Sequence, residues 1–376
     1  MSKFTRLLAA CSMTMIGPWF GPLQQTDPGD ETPQVHVTQV DTSHFPTITV
    51  YVSVTDANGE PVGIDPNQIT LSENGAPLTI QSVGGEGEIG SLTTLLVVDV
   101  SGSMNEAGKL DAAKSAARAY VEQMRPGDLA GLLAFNTEIN YLQPITTDRE
   151  ALLTAIEGLK ANQDTAMYDA LAQAVQILEG VEGRKAVIAL TDGLDNRSLE
   201  TPERVIEQIG PSGLSISTVG LGDPAQLGVT NAALDEAALK QLAERAGGAF
   251  GYANDPDSLL ALYEKYGRAL QSEYILTYTS PSALRDGVNR SLGVSLSEAA
   301  QPVAVADYNP GGLVPEVPQA SWPLFAVILA GLLALLALPL LITRGGAAIG
   351  SFVSSKRQKK SRVRIAEPPE PRIRLR

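Results

Sequence analysis

Cysteine and histidine are scarce in this chain. Among its 376 residues there is one cysteine, Cys11, and there are two histidines, His36 and His44. A single cysteine excludes an intramolecular disulfide and any zinc site built from several thiolates. Because both histidines precede the central part of the chain, a Ser-His-Asp or Cys-His hydrolase site is hard to assemble there. Stability must therefore come from core packing.

Basic side chains are also few outside the C-terminal segment. The formal net charge is −14, yet residues 344–376 carry 10 Lys or Arg and 2 acidic residues. Residues 1–343, which we call the body, therefore carry 18 basic and 40 acidic residues, a net charge of −22. Because phosphate binding needs a basic footprint, we expect no nucleic-acid partner.

One long apolar run stands near the C-terminus. Residues 322–342 contain no charged side chain over 21 positions, and about 20 such residues cross a bilayer as a helix. We predict a transmembrane helix at 321–343. The basic segment 344–376 follows directly, so the positive-inside rule places this tail in the cytoplasm and the body outside, on a single-pass cell-membrane protein. Four prolines between residues 302 and 318 predict a stiff stalk at 299–320.

A body outside the cytoplasm requires an export signal. Lys3 and Arg6 precede a modest apolar stretch at residues 7–20, which predicts a signal peptide or an N-terminal anchor within residues 1–22. The sequence up to Cys11 is similar to a bacterial lipoprotein box. The apolar segment before Cys11 is short for lipidation, which favours a plain signal peptide or an uncleaved anchor.

Residues 34–90 show the periodicity of strands. Apolar and polar side chains alternate there, and Asn58-Gly59 and Asn74-Gly75 supply the residues that tight hairpin turns need. Similar alternation returns within residues 273–298. We predict a small antiparallel β-sandwich domain at 34–90, completed by the returning strands. The region between them is then inserted in the sandwich or follows it.

Between these flanks, residues 91–272 show strands that alternate with helices. We predict strands at 92–100, 129–135, 186–190 and 214–220. We predict helices at 109–124, 149–159, 167–178, 234–245 and 256–270, with Gly247-Gly248 as a helix stop. Such alternation favours an α/β fold with a doubly wound, mostly parallel sheet that is covered on both faces.

A cluster of oxygen-bearing side chains follows the first of these strands. The segment LLVVDVSGSM at 95–104 places Asp99 at the carboxyl end of a buried strand, with Ser101 and Ser103 in the glycine-containing turn after it. Ligands of open α/β sheets bind at this edge. Taken alone, Asp-x-Ser-x-Ser is a weak pattern, because Asp and Ser often bond nearby backbone amides in turns.

Two later motifs fall at the ends of later elements. DTAMYDAL at 164–171 contains Thr165, and LTDG at 190–193 contains Asp192. Carboxyl ends of parallel strands meet at one edge of the sheet, so both side chains are expected near Asp99. The nearby acidic residues that we interpret as helix and turn residues rather than ligands are Asp169 and Asp195.

Together the three motifs resemble the metal-ion-dependent adhesion site of von Willebrand factor A domains. The resemblance covers about half of the chain and includes VGLG at 219–222 and AERAGGAF at 243–250. It implies a Rossmann-like fold over 91–272 and a site for Mg²⁺ or Mn²⁺. The residues implied to give hydroxyl oxygens directly are Ser101, Ser103 and Thr165, and those implied to bind directly or through water are Asp99 and Asp192.

This ligand set has a functional consequence. Neutral hydroxyls leave Mg²⁺ electrophilic, so a carboxylate from a partner can complete its shell. We expect a membrane-tethered, adhesion-type module without enzymatic turnover, whose partner is a protein or another acidic ligand. One alternative is a structural or assembly subunit of an envelope complex that needs no metal. A metal-dependent hydrolase is a poorer alternative, because no nearby His, Cys or second carboxylate cluster supplies a general base.

Two further signals are missing from the sequence. Without a Walker-type phosphate loop, any ATP-driven work would need another polypeptide. Without a long heptad run, no coiled-coil oligomer is indicated, and the oligomeric state stays open.

Overall fold

The chain builds antiparallel sheets from its flanks and a mostly parallel sheet between them. The computed structural model describes residues 33–85, 88–211, 213–222, 235–297, 304–312 and 325–336. The strands there are β1 (Gln34–Asp41), β2 (Thr47–Thr55), β3 (Ile69–Glu73), β4 (Ala76–Pro77), β5 (Ser82–Gly84), β6 (Leu92–Asp99), β7 (Leu129–Phe135), β8 (Ile139–Thr146), β9 (Arg184–Thr191), β10 (Ser215–Leu221), β11 (Gly247–Ala253), β12 (Tyr274–Thr279), β13 (Arg290–Leu296) and β14 (Ala304–Tyr308). The helices are α1 (Lys109–Gln123), α2 (Arg149–Glu157), α3 (Met167–Glu179), α4 (Pro202–Glu207), α5 (Glu236–Arg245), α6 (Pro256–Gln271) and α7 (325–336).

The flanking strands form two four-stranded antiparallel sheets, ordered β1-β2-β12-β5 and β14-β13-β3-β4. Strands from both sides of the α/β region pair directly, since β12 pairs with β2 and β13 with β3. Alternate side chains of these strands form one buried cluster, as period-two patterning requires. The predicted turn at Asn74-Gly75 joins β3 to β4, with φ of 51° and 81° at its two residues.

Part of the predicted stalk is a strand instead. Within residues 299–320, Ala304–Tyr308 forms β14 and pairs with β13. Its side chains alternate between exposed and more buried positions, and Tyr308 reaches the core. Pro310, one of the four prolines that suggested a stalk, lies two residues after this strand rather than inside it. The proline content of this segment suggested a stalk, although its side chains also follow the period-two pattern of a strand.

The central sheet has the order β11-β10-β9-β6-β7-β8, and β8 alone of these strands runs antiparallel to its neighbour. Its middle strands β6 and β9 are buried along their whole length. One face packs against α1, α2 and α6, and the other against α3, α4 and α5. The predicted α/β fold with a mostly parallel sheet is therefore confirmed.

Both edge strands of this sheet and the short helix α4 are absent from the sequence-based assignment. Pro144 lies inside β8, and a proline normally argues against a strand, but an edge strand tolerates it. The predicted helix stop at Gly247-Gly248 follows the end of α5 and also opens β11. A Cβ on Gly248 would lie 2.1 Å from the carbonyl oxygen of Ile216. These glycines therefore permit close strand approach as well as ending α5.

A buried ion pair joins the α/β unit to the sandwich. Arg184 begins β9 and Glu273 precedes β12, and their side chains are 0% and 1% exposed. Arg184 Nε and Nη2 donate to Glu273 Oε2 and Oε1 at 2.5 and 2.8 Å. The same guanidinium donates to Gln39 Oε1 on β1 at 3.1 Å and to Ser215 Oγ on β10 at 2.8 Å. One side chain therefore bonds elements of both units.

By its internal contacts the chain divides into two compact parts, Met1–Glu316 and Val317–Arg376. The helix α7 belongs to the second part. It covers twelve residues of the transmembrane helix predicted at 321–343. Among the described residues, no helix has both the length and the apolar character that a membrane crossing requires. The predicted signal at 1–22 and the basic tail at 344–376 lie outside the described residues.

Candidate metal centre

The predicted metal site lies where β6 and β9 end. The parallel register pairs Val98 with Leu190, so Asp99 and Thr191 end neighbouring strands. Beyond β6 the chain turns sharply, because the backbone N–H of Ser101 donates to Asp99 Oδ1 at 2.7 Å. A single 3-10 turn, Gly102–Asn105, follows and carries Ser103.

Three of the predicted ligands contact one another. Ser101 Oγ lies 3.1 Å from Ser103 Oγ, and Ser103 Oγ donates to Asp192 Oδ1 at 2.7 Å. Mg²⁺ prefers octahedral ligands at about 2.1 Å, which places two adjacent ligand oxygens about 3.0 Å apart. The observed oxygen separations are close to that value. This donor set therefore fits a small hard cation.

Asp99 lies deepest in the site. Its side chain is fully buried, and Thr191 Oγ1 donates to its Oδ2 at 2.7 Å. Burial raises the pKa of Asp99 to about 6, although hydrogen bonds from Thr191 and Ser101 act in the opposite direction. Both carboxylate oxygens already accept a hydrogen bond from the protein. This arrangement suits a carboxylate that meets a cation through water.

Thr165 belongs to a loop that docks on the turn after β6. The backbone N–H of Gly102 donates to the carbonyl of Gln163 at 2.8 Å, and Gln163 takes the left-handed conformation, with φ of 68°. Thr165, two residues further, is buried. Its backbone N–H donates to Asn196 Oδ1 at 3.3 Å. Backbone contacts thus hold the loop carrying Thr165 beside Ser101 and its neighbours.

The two acidic residues that we interpreted as structural, Asp195 and Asp169, accept hydrogen bonds from backbone N–H groups. Asp195 Oδ2 accepts from the backbone N–H of Tyr168 at 3.0 Å, in the first turn of α3. Asp169 Oδ1 accepts from the backbone N–H groups of Leu199 and Glu200 at 2.9 and 2.8 Å. Asp195 therefore caps α3 from a distant loop, because the N-cap residue of that helix supplies no side-chain bond.

Two side chains of the site were not predicted, Lys109 and Thr191. Lys109 Nζ lies 2.7 Å from Asp192 Oδ2, and the two side chains are 22% and 0% exposed. Thr191 immediately precedes Asp192 in the LTDG motif, a position that sequence reasoning could have included. Lys109 is the first residue of α1, 83 positions before its partner, and no sequence spacing indicates that contact.

Comparison with known families identifies the α/β unit. Residues 94–194 match the family model for the von Willebrand factor type A domain. Over these residues the α/β unit, which we call the A domain, is similar to the von Willebrand factor type A domain. The matched residues include all five predicted metal ligands, and the topology described above is that of an α/β unit with a mixed, mostly parallel sheet.

Curated relatives match about half of the chain. A UPF0353 protein of Nocardia farcinica is 26% identical over an alignment of 204 positions that covers 46% of this chain and 61% of that protein. A UPF0353 protein of Mycolicibacterium gilvum is 28% identical over an alignment of 219 positions that covers 51% of this chain and 64% of that protein. The chain thus spans less than two thirds of the length of these relatives.

Several solved structures show a partial likeness to the chain. A von Willebrand factor type A protein from Catenulispora acidiphila has a TM-score of 0.44 and 16% identity, with 74% of each chain covered. Proximal thread matrix protein 1 from the mussel byssus, with a zinc-occupied metal-ion-dependent adhesion site, has a TM-score of 0.44 and 18% identity. That match covers 53% of this chain and 49% of the byssus protein.

The A domain's oxygen donors are chemically mixed. Within the described residues, no three His, Cys, Asp or Glu side chains gather where they could hold a metal ion. A cation bound beside Ser103 and Asp192 would meet hydroxyl oxygens as well as carboxylate. Residues that would hold the ion are Ser101, Ser103, Thr165, Asp99 and Asp192.

Proposed function

We propose that this protein is a membrane-tethered binding module, whose A domain holds Mg²⁺ or Mn²⁺ and captures a protein or another acidic ligand outside the cytoplasm. The observation that carries the proposal is the spacing of Ser101 Oγ, Ser103 Oγ and Asp192 Oδ1 at 3.1 and 2.7 Å. Such spacing is close to the edge of a Mg²⁺ octahedron, which is about 3.0 Å.

The ligand class follows from the charge of the donors. Hydroxyl oxygens are neutral, and Asp99 is already bonded at both oxygens by Thr191 and by the backbone of Ser101. A cation held mainly by hydroxyls retains much of its charge and attracts an anionic oxygen. A partner's Asp or Glu side chain supplies such an oxygen, and the metal's role is to polarise and hold it.

A binding role fits the site better than hydrolysis. Each carboxylate near the cation position accepts two hydrogen bonds from the protein, Asp99 from Ser101 and Thr191, and Asp192 from Ser103 and Lys109. A general base needs an oxygen free to take a proton from water. The site is therefore better arranged to hold an ion than to activate water.

The membrane part of the proposal rests on sequence. The apolar run at 322–342 and the net charge of +8 that follows it support a single crossing with a cytoplasmic tail. The acidic body, at −22, suits the attraction of divalent cations from outside. A metal-dependent A domain on such an anchor would be presented at the cell surface.

The direct test is calorimetric titration of the full-length protein with MgCl₂, alongside the variant Ser103→Ala. The matched control is Ser115→Ala on α1, since Ser115 Oγ donates only to the carbonyl of Asp111 and is exposed. We expect wild type and the control to bind Mg²⁺ and Ser103→Ala to lose binding. Saturation at 100 times the dissociation constant should add about 2.7 kcal/mol of stability.

The role in capture needs a second experiment. Partners captured on wild type in Mg²⁺ are compared with those captured in EDTA and on Ser103→Ala. Replacing the contacting Asp or Glu of a captured protein by Asn or Gln should abolish its binding. Capture that survives both EDTA and Ser103→Ala would replace this proposal with the metal-independent assembly role.

A further inference from the structure

The cation already present at the metal centre is the ammonium of Lys109. Its Nζ lies 2.7 Å from Asp192 Oδ2, while Ser103 Oγ donates to the other oxygen, Oδ1, of the same carboxylate. The Asp192 side chain is 0% exposed. Among the described residues, its close polar contacts are Lys109 and Ser103. One carboxylate therefore serves both a predicted metal ligand and a protein cation.

The two residues before Lys109 have an unusual backbone conformation. Ala107 and Gly108 are both left-handed, with φ of 51° and 72°, and the next residue is Lys109, which begins α1. A cation at a helix N-terminus is disfavoured by the helix dipole. Helix stability therefore gives no reason for a lysine at this position. Its partner Asp192 does, because a buried carboxylate needs a compensating charge.

We propose that Lys109 is an internal competitor for the divalent cation, which lowers the metal affinity of the site by neutralising Asp192. The inference rests on the proposed function and adds its regulation. A cation that binds beside Ser103 and Asp192 either displaces the ammonium from Oδ2 or binds next to its positive charge. Both routes oppose metal binding, because the first gives up an ion pair and the second places like charges close together.

The consequence is a graded site rather than a permanently loaded one. Without the competitor, the carboxylate of Asp192 would be free to attract Mg²⁺ with its full charge. With it, the centre loads only when external Mg²⁺ is high enough to overcome the ammonium. Ligand capture by the A domain is then set by cation concentration, and Lys109 is the residue that sets the threshold.

A purely structural role for Lys109 makes a different prediction. If the lysine only supports the fold, its removal weakens the protein and leaves metal affinity unchanged or lower. If it competes with the metal, removal weakens the metal-free protein, because Asp192 loses its counter-charge, and at the same time tightens metal binding. The two measured quantities then move in opposite directions.

The experiment measures Mg²⁺ affinity by calorimetry on the full-length protein, in wild type and Lys109→Met. The matched control is Lys114→Met on the same helix, whose exposed ammonium donates to the carbonyl of Glu157. We expect Lys109→Met to bind Mg²⁺ about tenfold more tightly, equivalent to about 1.4 kcal/mol. It should also melt lower than wild type in EDTA and gain more from Mg²⁺. Lys114→Met should match wild type in both respects.

Two further variants guard against a folding defect. Lys109→Gln keeps a donor for Asp192 without the charge and should also bind Mg²⁺ more tightly, whereas Lys109→Arg keeps the charge and should stay near wild type. Unchanged or weaker Mg²⁺ binding in both Lys109→Met and Lys109→Gln overturns the competitor role and leaves the proposed function standing. If neither wild type nor any variant binds Mg²⁺, the metal-dependent function itself is wrong.

Discussion

Removing the charge of Glu273 tests how the A domain is attached to the sandwich. Arg184 is 0% exposed and gives Glu273 two hydrogen bonds, at 2.5 and 2.8 Å. In Glu273→Gln the carboxamide keeps one acceptor, but its NH₂ group faces the guanidinium. A charge-assisted hydrogen bond contributes about 1.5–3 kcal/mol, and breaking one side of a buried pair costs about 3–5 kcal/mol. We expect Glu273→Gln to lose about 3–5 kcal/mol of unfolding free energy.

The assay is urea unfolding of the full-length protein followed by far-ultraviolet circular dichroism. The matched control is Glu60→Gln, because Glu60 and Arg268 also join the sandwich to α6, at 3.0 Å, but their side chains are 45% and 48% exposed. An exposed pair contributes about 0–1 kcal/mol. The control should therefore unfold close to wild type.

A double variant separates the pair from its parts. Arg184→Met combined with Glu273→Leu removes both charges, so it should cost less than the sum of the two single replacements. The reasoning would be refuted if Glu273→Gln cost no more than Glu60→Gln, since the buried pair would then contribute no more than the exposed one.

Three other outcomes are expected. Asp195→Ala should lower the free energy of unfolding by about 1–2 kcal/mol in urea, because α3 loses its cap; an unchanged midpoint would contradict the capping role. Gln163 has a φ of 68°, so Gln163→Val should destabilise the protein by at least about 1 kcal/mol relative to Gln163→Gly, which denaturation can compare directly. Protease added to intact cells should remove the body and spare an epitope at Arg376, whereas early loss of that epitope would reverse the topology.

The parts of the fold that sequence reasoning reached are those with a strong repeating pattern. The buried run of β6 and the helical spacing in α1 gave elements within a residue or two of the observed ones, Leu92–Asp99 and Lys109–Gln123. The edge strands β8 and β11 were not predicted from the sequence. Pro144 in β8 and the glycines in β11 usually interrupt regular secondary structure. At a sheet edge, a missing donor or side chain costs little.

The candidate metal centre shows the same division. A local sequence motif is enough to indicate Asp99, Ser101 and Ser103, because they lie within five residues of one another. Lys109 and its partner are 83 residues apart, as are many contacts that only the tertiary fold creates. The Arg184–Glu273 pair, separated by 89 residues, is of this second kind. A single sequence carries no record of which distant charges meet.

The attachment of the A domain also has a mechanical consequence. Ile275 of β12 pairs with Gly84 of β5, so the chain leaves the sandwich and returns to it through adjacent antiparallel strands. A tensile force applied to the A domain therefore acts on both strands. When that force acts along the strands, the β12–β2 ladder of six residue pairs is loaded in shear. Its hydrogen bonds carry the load together instead of opening one after another, so the sandwich resists pulling as a single anchor.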